Sequence, residues 1–438
     1  MTQAQKFITI SSKDFIFEPY IQCPKCGKPS FGVLMIRSDS YIRRCAECFY
    51  PRGHERPIIY PLPPLQKKII YIDQLGISNM MKALNPTTRA HQQGRVPPFW
   101  LKLFERLDRL VKLQLVLCPD SRFHDWESSL SPFGEALKQM YEHLSYGVSF
   151  YDPDTIKRFQ IMEQFELWLG RQKEQRVDVH RIVHGEINAW QERIRITVNT
   201  KAWPELVQEL RSNREIAEQQ LTAVFGRWQR EKHRSFNDWY EEERRAASSV
   251  LIEIYKKSLK TYMTMALGLA EVNPFELLPS WSTLTMHDLQ DRLRRQGVQE
   301  NDLFRKIGEF LNSEAFMAAP YTQVSAMLYA AMARKASSGR KRPPGRGFFT
   351  DVNIISTLLP YCEAMFIDNE CRLLLSESPV RDRLQYGTKV FSSATGEAFL
   401  QYLDGIEAEA SQDHLKAVGE VYGPDWAQPY TEMYQARQ

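Results

Sequence analysis

The chain has 438 residues, of which 43% are hydrophobic and 25% charged; this favours two or three folded domains and excludes a disordered polymer. No apolar run approaches the roughly 20 residues that cross a bilayer, and the opening MTQAQKFITISSKDF lacks the basic and apolar regions of a secretory signal, so the expectation is a cytoplasmic protein with no membrane partner. A formal net charge of +4 is too small to announce a nucleic-acid binder, which leaves that argument to local clusters.

The first element is a cysteine cluster. In CPKCGKPSFGVLMIRSDSYIRRCAEC two C-x-x-C pairs stand eighteen residues apart, and four of the seven cysteines fall in this stretch. Each pair offers two thiolates from one tight turn, so Cys23, Cys26, Cys45 and Cys48 are the expected ligands of a structural zinc ion. Between the pairs two short strands are predicted, with Gly32 and the Asp39-Ser40 turn as punctuation; residues 1–56 thus resemble a zinc ribbon and its linker. A four-thiolate site has no open position for chemistry, which makes it an architectural clip. Lys25, Lys28, Arg37, Arg43, Arg44 and Arg52 beside Phe31, Tyr41 and Tyr50 also fit a surface for nucleic acid or a partner. The proline-rich YPRGHERPIIYPLPPLQ that follows reads as linker.

From residue 57 to 132 the pattern alternates. KKIIYID is a short apolar run ending in Asp73, and Gln74 to Leu84 switches to helical spacing through Leu75, Ile77, Met80, Met81 and Leu84. FWLKLFERLDRLVKL predicts a second helix, QLVLCPDS a second strand, and SRFHDWESSL a helix with Glu127 on its first turns; Asp125 and Asp120 are substitutes for that acid. Residues 133–335 read as a large all-helical insertion, a further expected surface for a protein partner or self-association. Its Trp190, Trp203, Trp228 and Trp239 fit a helical core or base stacking, and His180 and His184 stand four apart, one helical turn. The basic stretch ARKASSGRKRPPGRGFF, with Arg334, Lys335, Arg340, Lys341, Arg342 and Arg346, is too rich in Ser, Gly and Pro to form a packed element. Arg340, Lys341, Arg342 and Arg346 are the expected phosphate-backbone contacts.

Over residues 336–438 the alternation resumes: TDVNIISTLLPYC predicts a helix opened by Asp351, AMFIDNE a buried strand ending at Asp368, ESPVRDRLQYG a helix and TKVFSS a strand. Strand–helix alternation implies a parallel sheet with helices on both faces, and in such sheets ligands gather at the carboxyl ends of the strands. Separated carboxylates converging there suit a hard divalent cation held against phosphate.

The ordered acids Asp73, Glu127, Asp351 and Asp368 resemble the PIN-like nuclease superfamily, whose members carry an acid after the first strand, one in the helix after the second, and two flanking a later helix and strand. The resemblance covers about Lys67 to Leu130 and Gly347 to Leu403, and departs from the compact family pattern by about two hundred residues between the second and third acids. It implies an α/β fold with a PIN-like domain interrupted by the helical insertion and preceded by the ribbon. It also implies a metal-dependent endonuclease in which Asp73, Glu127, Asp351 and Asp368 bind catalytic Mg²⁺ or Mn²⁺, with RNA the favoured substrate and a toxin, RNA-processing or defence role. Two other expectations stand beside it: an inactive zinc-ribbon adaptor that binds nucleic acid or protein, and a structure-specific DNA nuclease.

Overall fold

The computed structural model describes residues 12–174, 177–193, 219–269, 279–345 and 347–435; Trp203 and Arg346 lie outside them. The amino-terminal unit is an antiparallel sheet of β1 (Phe17–Gln22), β2 (Pro29–Ile36), β3 (Ser40–Cys45) and β4 (Ile59–Pro61), in that order. The strands β2 and β3 occupy the segment between the cysteine pairs. β4 comes from the proline-rich stretch, which is therefore more than a linker: Ile59 and Tyr60 pair with Ile42 and Tyr41, carrying the ribbon sheet past residue 56.

The second sheet is parallel. It is built from β5 (Lys68–Ile72) and β6 (Val116–Leu117), then, beyond the short β7 (Ser149–Phe150) and β8 (Val183–His184), from β9 (Ala364–Phe366) and β10 (Lys389–Phe391), in the order β10-β9-β5-β6. A parallel bridge between Asp120 and Ser149 continues the sheet beyond β6 into β7, which pairs antiparallel with β8. Side chains alternate across the sheet as the pleat requires. Ile69, Tyr71, Leu117, Met365 and Ile367 enter one apolar core, and Ile70, Ile72, Val116, Cys118, Ala364 and Phe366 enter the other. Burial on both faces explains why these strands read as unbroken apolar runs.

The longer helices are α1 (Gln74–Leu84), α2 (Phe99–Lys112), α3 (Arg122–Ser129), α4 (Gly134–Ser145), α5 (Pro153–Trp168), α6 (Phe236–Ala266), α7 (Trp281–Arg294), α8 (Glu300–Leu311), α9 (Pro320–Ser337), α10 (Phe348–Leu358), α11 (Asn369–Ser376), α12 (Gly396–Ala408) and α13 (Gln412–Tyr422). Helices α1, α2, α4 and α12 cover one face of the sheet; α6, α9, α10 and α11 cover the other, joined by the helical stretch 219–230 through Leu221, Phe225 and Trp228. The described residues of the span 133–335 are mostly helical, as its pattern predicts, but they do not stand apart: α4 packs on one face, α6 and α9 on the opposite face, and β7 extends the sheet. Among the described residues, α7 and α8, with parts of α5 and α6 and with Phe316, Met317 and Ala319, build a separate core.

Several local expectations change. The stretch ESPVRDRLQYG is helical only over Val380–Arg383, and the main helix precedes it as α11, because Asp368 caps that helix and Pro379 cannot continue one. Glu127 lies on the last turn of α3, not the first. Arg334 and Lys335 are packed in the last turn of α9, where Lys335 pairs with Glu377 at 2.8 Å and Arg334 donates to the Ser378 carbonyl at 3.1 Å. His180 and His184 share no α-helix; they sit in a single 3-10 turn and in β8, both exposed. Among the described residues, no helix is long and apolar enough to cross a membrane.

Candidate metal centre

Among the described residues, two clusters of metal-ligating side chains emerge. In the ribbon, Cys23, Cys26, Cys45 and Cys48 bring their sulfurs within 4.8 Å of one another. The two C-x-x-C turns match: Gly27 donates its amide to the Cys23 carbonyl at 2.9 Å and Phe49 to that of Cys45 at 3.0 Å, with φ of 72° and 58° at these two positions. Gly27 takes the left-handed conformation without a Cβ clash. The amides of Glu47 and Cys48 both point at Cys45 Sγ from 3.4 Å, and Ser30 Oγ lies 3.1 Å from it. Burial favours the neutral Cys45 thiol, but these contacts outweigh it and bring the group down to about 6. Four close sulfurs, at least one held ready as thiolate, are a donor set that could hold a zinc ion.

The ribbon is anchored to the rest of the chain. Arg43, only 3% exposed, donates to the carbonyls of Phe31 at 3.1 Å and of Glu420 in α13 at 2.8 Å. Val33, Ile36 and Tyr41 share a core with Trp190, Val418 and Tyr422. Arg43, Phe31 and Tyr41 are thus interior groups and not a nucleic-acid surface. Trp190, Trp228 and Trp239 are likewise buried, which removes them from base stacking.

The second cluster lies at the carboxyl end of the parallel sheet. β5 and β9 are hydrogen-bonded neighbours with Ile72 opposite Phe366, and the Asp73 amide donates to the Phe366 carbonyl at 2.9 Å. Asp73 and Asp368 therefore leave adjacent strands at one end. Helix α1 follows Asp73 directly, and Gly76 lets it approach the sheet: a Cβ there would stand 2.8 Å from Ile72 Cγ2 and 3.4 Å from Phe366 Cδ1. Asp73 occupies the N-cap position of α1 without a side-chain capping bond. Asp368 does cap its helix, accepting from the Cys371 amide at 2.7 Å through Oδ1. Asp351 enters from the first turn of α10, and carboxylate oxygens of Asp351 and Asp368 lie within 4.8 Å of each other and of Cys371 Sγ.

The electrostatics bind the four acids into one group. Burial is the largest influence on Asp351, and the charges of Asp73, Asp368, Glu127 and Glu370 add to it, pushing its carboxyl up to about 9. Asp73 is raised to about 6 by burial, with Asp368 adding and with His124 and the amides of Gln74 and Leu75 opposing. Asp368 is also raised, by burial against the Cys371 amide. Like charges gathered in a partly dry site hold protons unless a cation joins them. Glu127, half-buried on α3, acts on Asp351. Of its substitutes, Asp125 is exposed and Asp120 accepts from the Ser121 amide at 2.7 Å with its Oδ1 3.0 Å from His124 Nδ1.

Beneath the acids lies a buried stack that sequence reasoning did not single out. The Tyr71 and His124 rings are 5.1 Å apart and those of His124 and Tyr141 4.1 Å, and His124 Nε2 lies 3.0 Å from the Ile72 carbonyl. Tyr71 is fully buried; its Oη makes no hydrogen bond of normal length, with the Ser121 side chain near it and the charges of Asp73, Glu127 and Asp351 acting on it. The signal for Tyr71 was its position two residues before Asp73, on one side of the strand; the signal for Cys371 was its place one helical turn after Asp368.

The basic loop is seated beside this cluster. Arg340 pairs with Glu370, whose Oε2 also accepts from the Gly345 amide at 3.4 Å, and Gln229 donates to the Arg340 carbonyl at 2.8 Å. Arg340 thus holds the loop, while Lys341 and Arg342 are exposed. Comparison of the chain with known protein families, with curated proteins and with solved structures finds no match.

Proposed function

We propose that the chain is a PIN-like, metal-dependent endonuclease that hydrolyses phosphodiester bonds, with flexible RNA as the favoured substrate. The observation that carries this reading is the approach of Asp351 and Asp368 within 4.8 Å at the carboxyl end of one parallel sheet, with Asp73 ending the neighbouring strand and Glu127 acting on them through its charge. Such a group has few roles in stabilising a fold, since burying like charges costs free energy.

The donor set fits a divalent cation. Asp368 and Asp351, whose carboxylate oxygens lie within 4.8 Å of each other, are the direct ligands, and Asp73, at the end of the neighbouring strand, and Glu127 complete the oxygen shell. The orphaned Tyr71 hydroxyl beside them is a donor for whatever oxygen occupies the space. A bound Mg²⁺ or Mn²⁺ supplies Lewis acidity toward water and neutralises charge at the phosphate. Asp73 and Glu127 orient water and accept its proton. Lys341 and Arg342, held next to the centre by the Arg340–Glu370 pair, steer the nucleic-acid backbone toward it. The ribbon, with its docked face buried, serves as a clip that braces α13 and the sheet.

The test is cleavage of one sequence as single-stranded RNA and as DNA by the purified chain with Mn²⁺ or Mg²⁺, beside Asp73→Ala and Asp368→Asn. Metal-dependent RNA cleavage lost in both variants is the expected result. Cleavage of DNA alone transfers the reading to a DNA nuclease, and binding without cleavage transfers it to an adaptor.

A further inference from the structure

The acidic centre contains a sulfur. Cys371 stands in the first turn of α11 and is fully buried. Its Sγ lies within 4.8 Å of carboxylate oxygens of both Asp351 and Asp368, which lie equally close to each other. Donors at about 2.0–2.3 Å from a shared ion are themselves ~3–4 Å apart, so this trio stands near the spacing that a shared cation requires. It draws on two elements, α10 and the β9–α11 junction, whose positions are set by the packing of both helices on the sheet.

A second observation points into the same space. Tyr71 Oη is buried without a hydrogen bond of normal length on the strand that ends at Asp73. A buried hydroxyl left orphaned is unusual, and an ion's coordinated water or a phosphate oxygen among these carboxylates would satisfy it. A thiolate changes what the centre selects. Oxygen-only sites suit Mg²⁺, whereas sulfur draws borderline and soft ions such as Co²⁺, Zn²⁺ and Cd²⁺.

We propose that Cys371 is a metal ligand: the divalent ion held by Asp351 and Asp368 is also bound through Cys371 Sγ, so the centre takes a borderline or soft ion in preference to Mg²⁺. As the metal–sulfur bond forms, the thiol proton passes to solvent and no electron is transferred. This rests on reading the acids as a metal centre, and it narrows which metal they hold.

The test uses the full chain carrying one zinc ion in its ribbon, titrated with Co²⁺ and followed by visible absorption and calorimetry. Wild type is compared with Cys371→Ser, Cys371→Ala and Asp368→Asn, each checked for folding by near-ultraviolet circular dichroism. A second ion is expected, with a sulfur-to-cobalt charge-transfer band in wild type. Both cysteine variants lose that band and bind Co²⁺ about 10-fold or more weakly, and Asp368→Asn binds no second ion. If both cysteine variants match wild type in spectrum and affinity while Asp368→Asn fails, Cys371 is a packing residue and the carboxylate centre stands. If wild type takes up no ion beyond the ribbon zinc, the carboxylate centre falls and this proposal with it.

Discussion

The ribbon and the strand-end cluster gather metal-ligating groups by opposite routes. Four sulfurs come from Cys23 to Cys48, and each pair is shaped by its own tight turn. The acids run from Asp73 to Asp368, and Asp73 and Asp368 come side by side only when β5 pairs with β9. A local centre of repelling thiolates leans on its ion to hold a small sheet together. A distant centre is imposed by the fold, which forces carboxyls together at a cost. A bound ion would therefore complete the first and, on the function proposed above, relieve the second.

The largest expected effect breaks the local side of this comparison. Cys45→Ser removes a ligand whose site contributes apparent binding free energies on the order of 10 kcal/mol in isolated zinc modules; metal analysis should show loss of zinc. Since Arg43 and the Val33–Tyr41 core dock the ribbon on α13, the melting transition should also broaden or split. Retention of one zinc per chain would contradict a four-cysteine centre. On the distant side, Asp368→Asn should lower metal-dependent cleavage by more than about 100-fold, beyond what loss of an outer-shell partner causes, with zinc content unchanged. It also leaves a capping oxygen for the Cys371 amide, so circular dichroism should be preserved.

A smaller effect is thermodynamic. Asp73, at about 6, and Asp351, at about 9, lie above the ordinary 3.8, so the folded chain keeps protons that the unfolded chain has released. Their contribution to stability is full below about pH 4 and is lost as pH rises through 6 and toward 9. With zinc in the ribbon and no other divalent ion, the melting temperature should fall from pH 6 to 9, and Asp351→Asn should flatten that slope. A slope unchanged in the variant would place the coupling elsewhere. Added Mn²⁺ should raise the melting temperature more at pH 8 than at pH 6, since ligands must be deprotonated to bind. The smallest effect belongs to the loop: Lys341→Ala with Arg342→Ala should reduce the salt slope of single-stranded RNA binding by about 1.4 in all, about 0.7 per charge.

What the sequence made legible follows the same divide. The cysteine spacing, β5 and α1 are short-range patterns, and the structure carries them where the residues say. The parallel alternation was also readable, because strands buried on both faces become apolar runs such as IIYI and AMFI. By contrast β7 is two residues long, too short for any alternation, and only the Asp120–Ser149 bridge reveals that it extends the sheet. The same holds for the centre. Asp73 and Asp368 end visible strands, whereas Tyr71 and Cys371 look like ordinary core residues until neighbours far along the chain surround them. Arg340 read as a phosphate contact, yet its partner Glu370 could be found only once α11 had been put in place.

The position of β9 between β5 and β10 sets an order of events during translation. Asp73 and Glu127 leave the ribosome early, but the strand that completes their surroundings is made nearly three hundred residues after β5. A stalled or truncated product ending before Ala364 lacks Asp368, one of the four acids, and the central pairing that aligns the others. Only a finished polypeptide assembles the whole charge cluster, so quality control over this centre is written into the direction of synthesis.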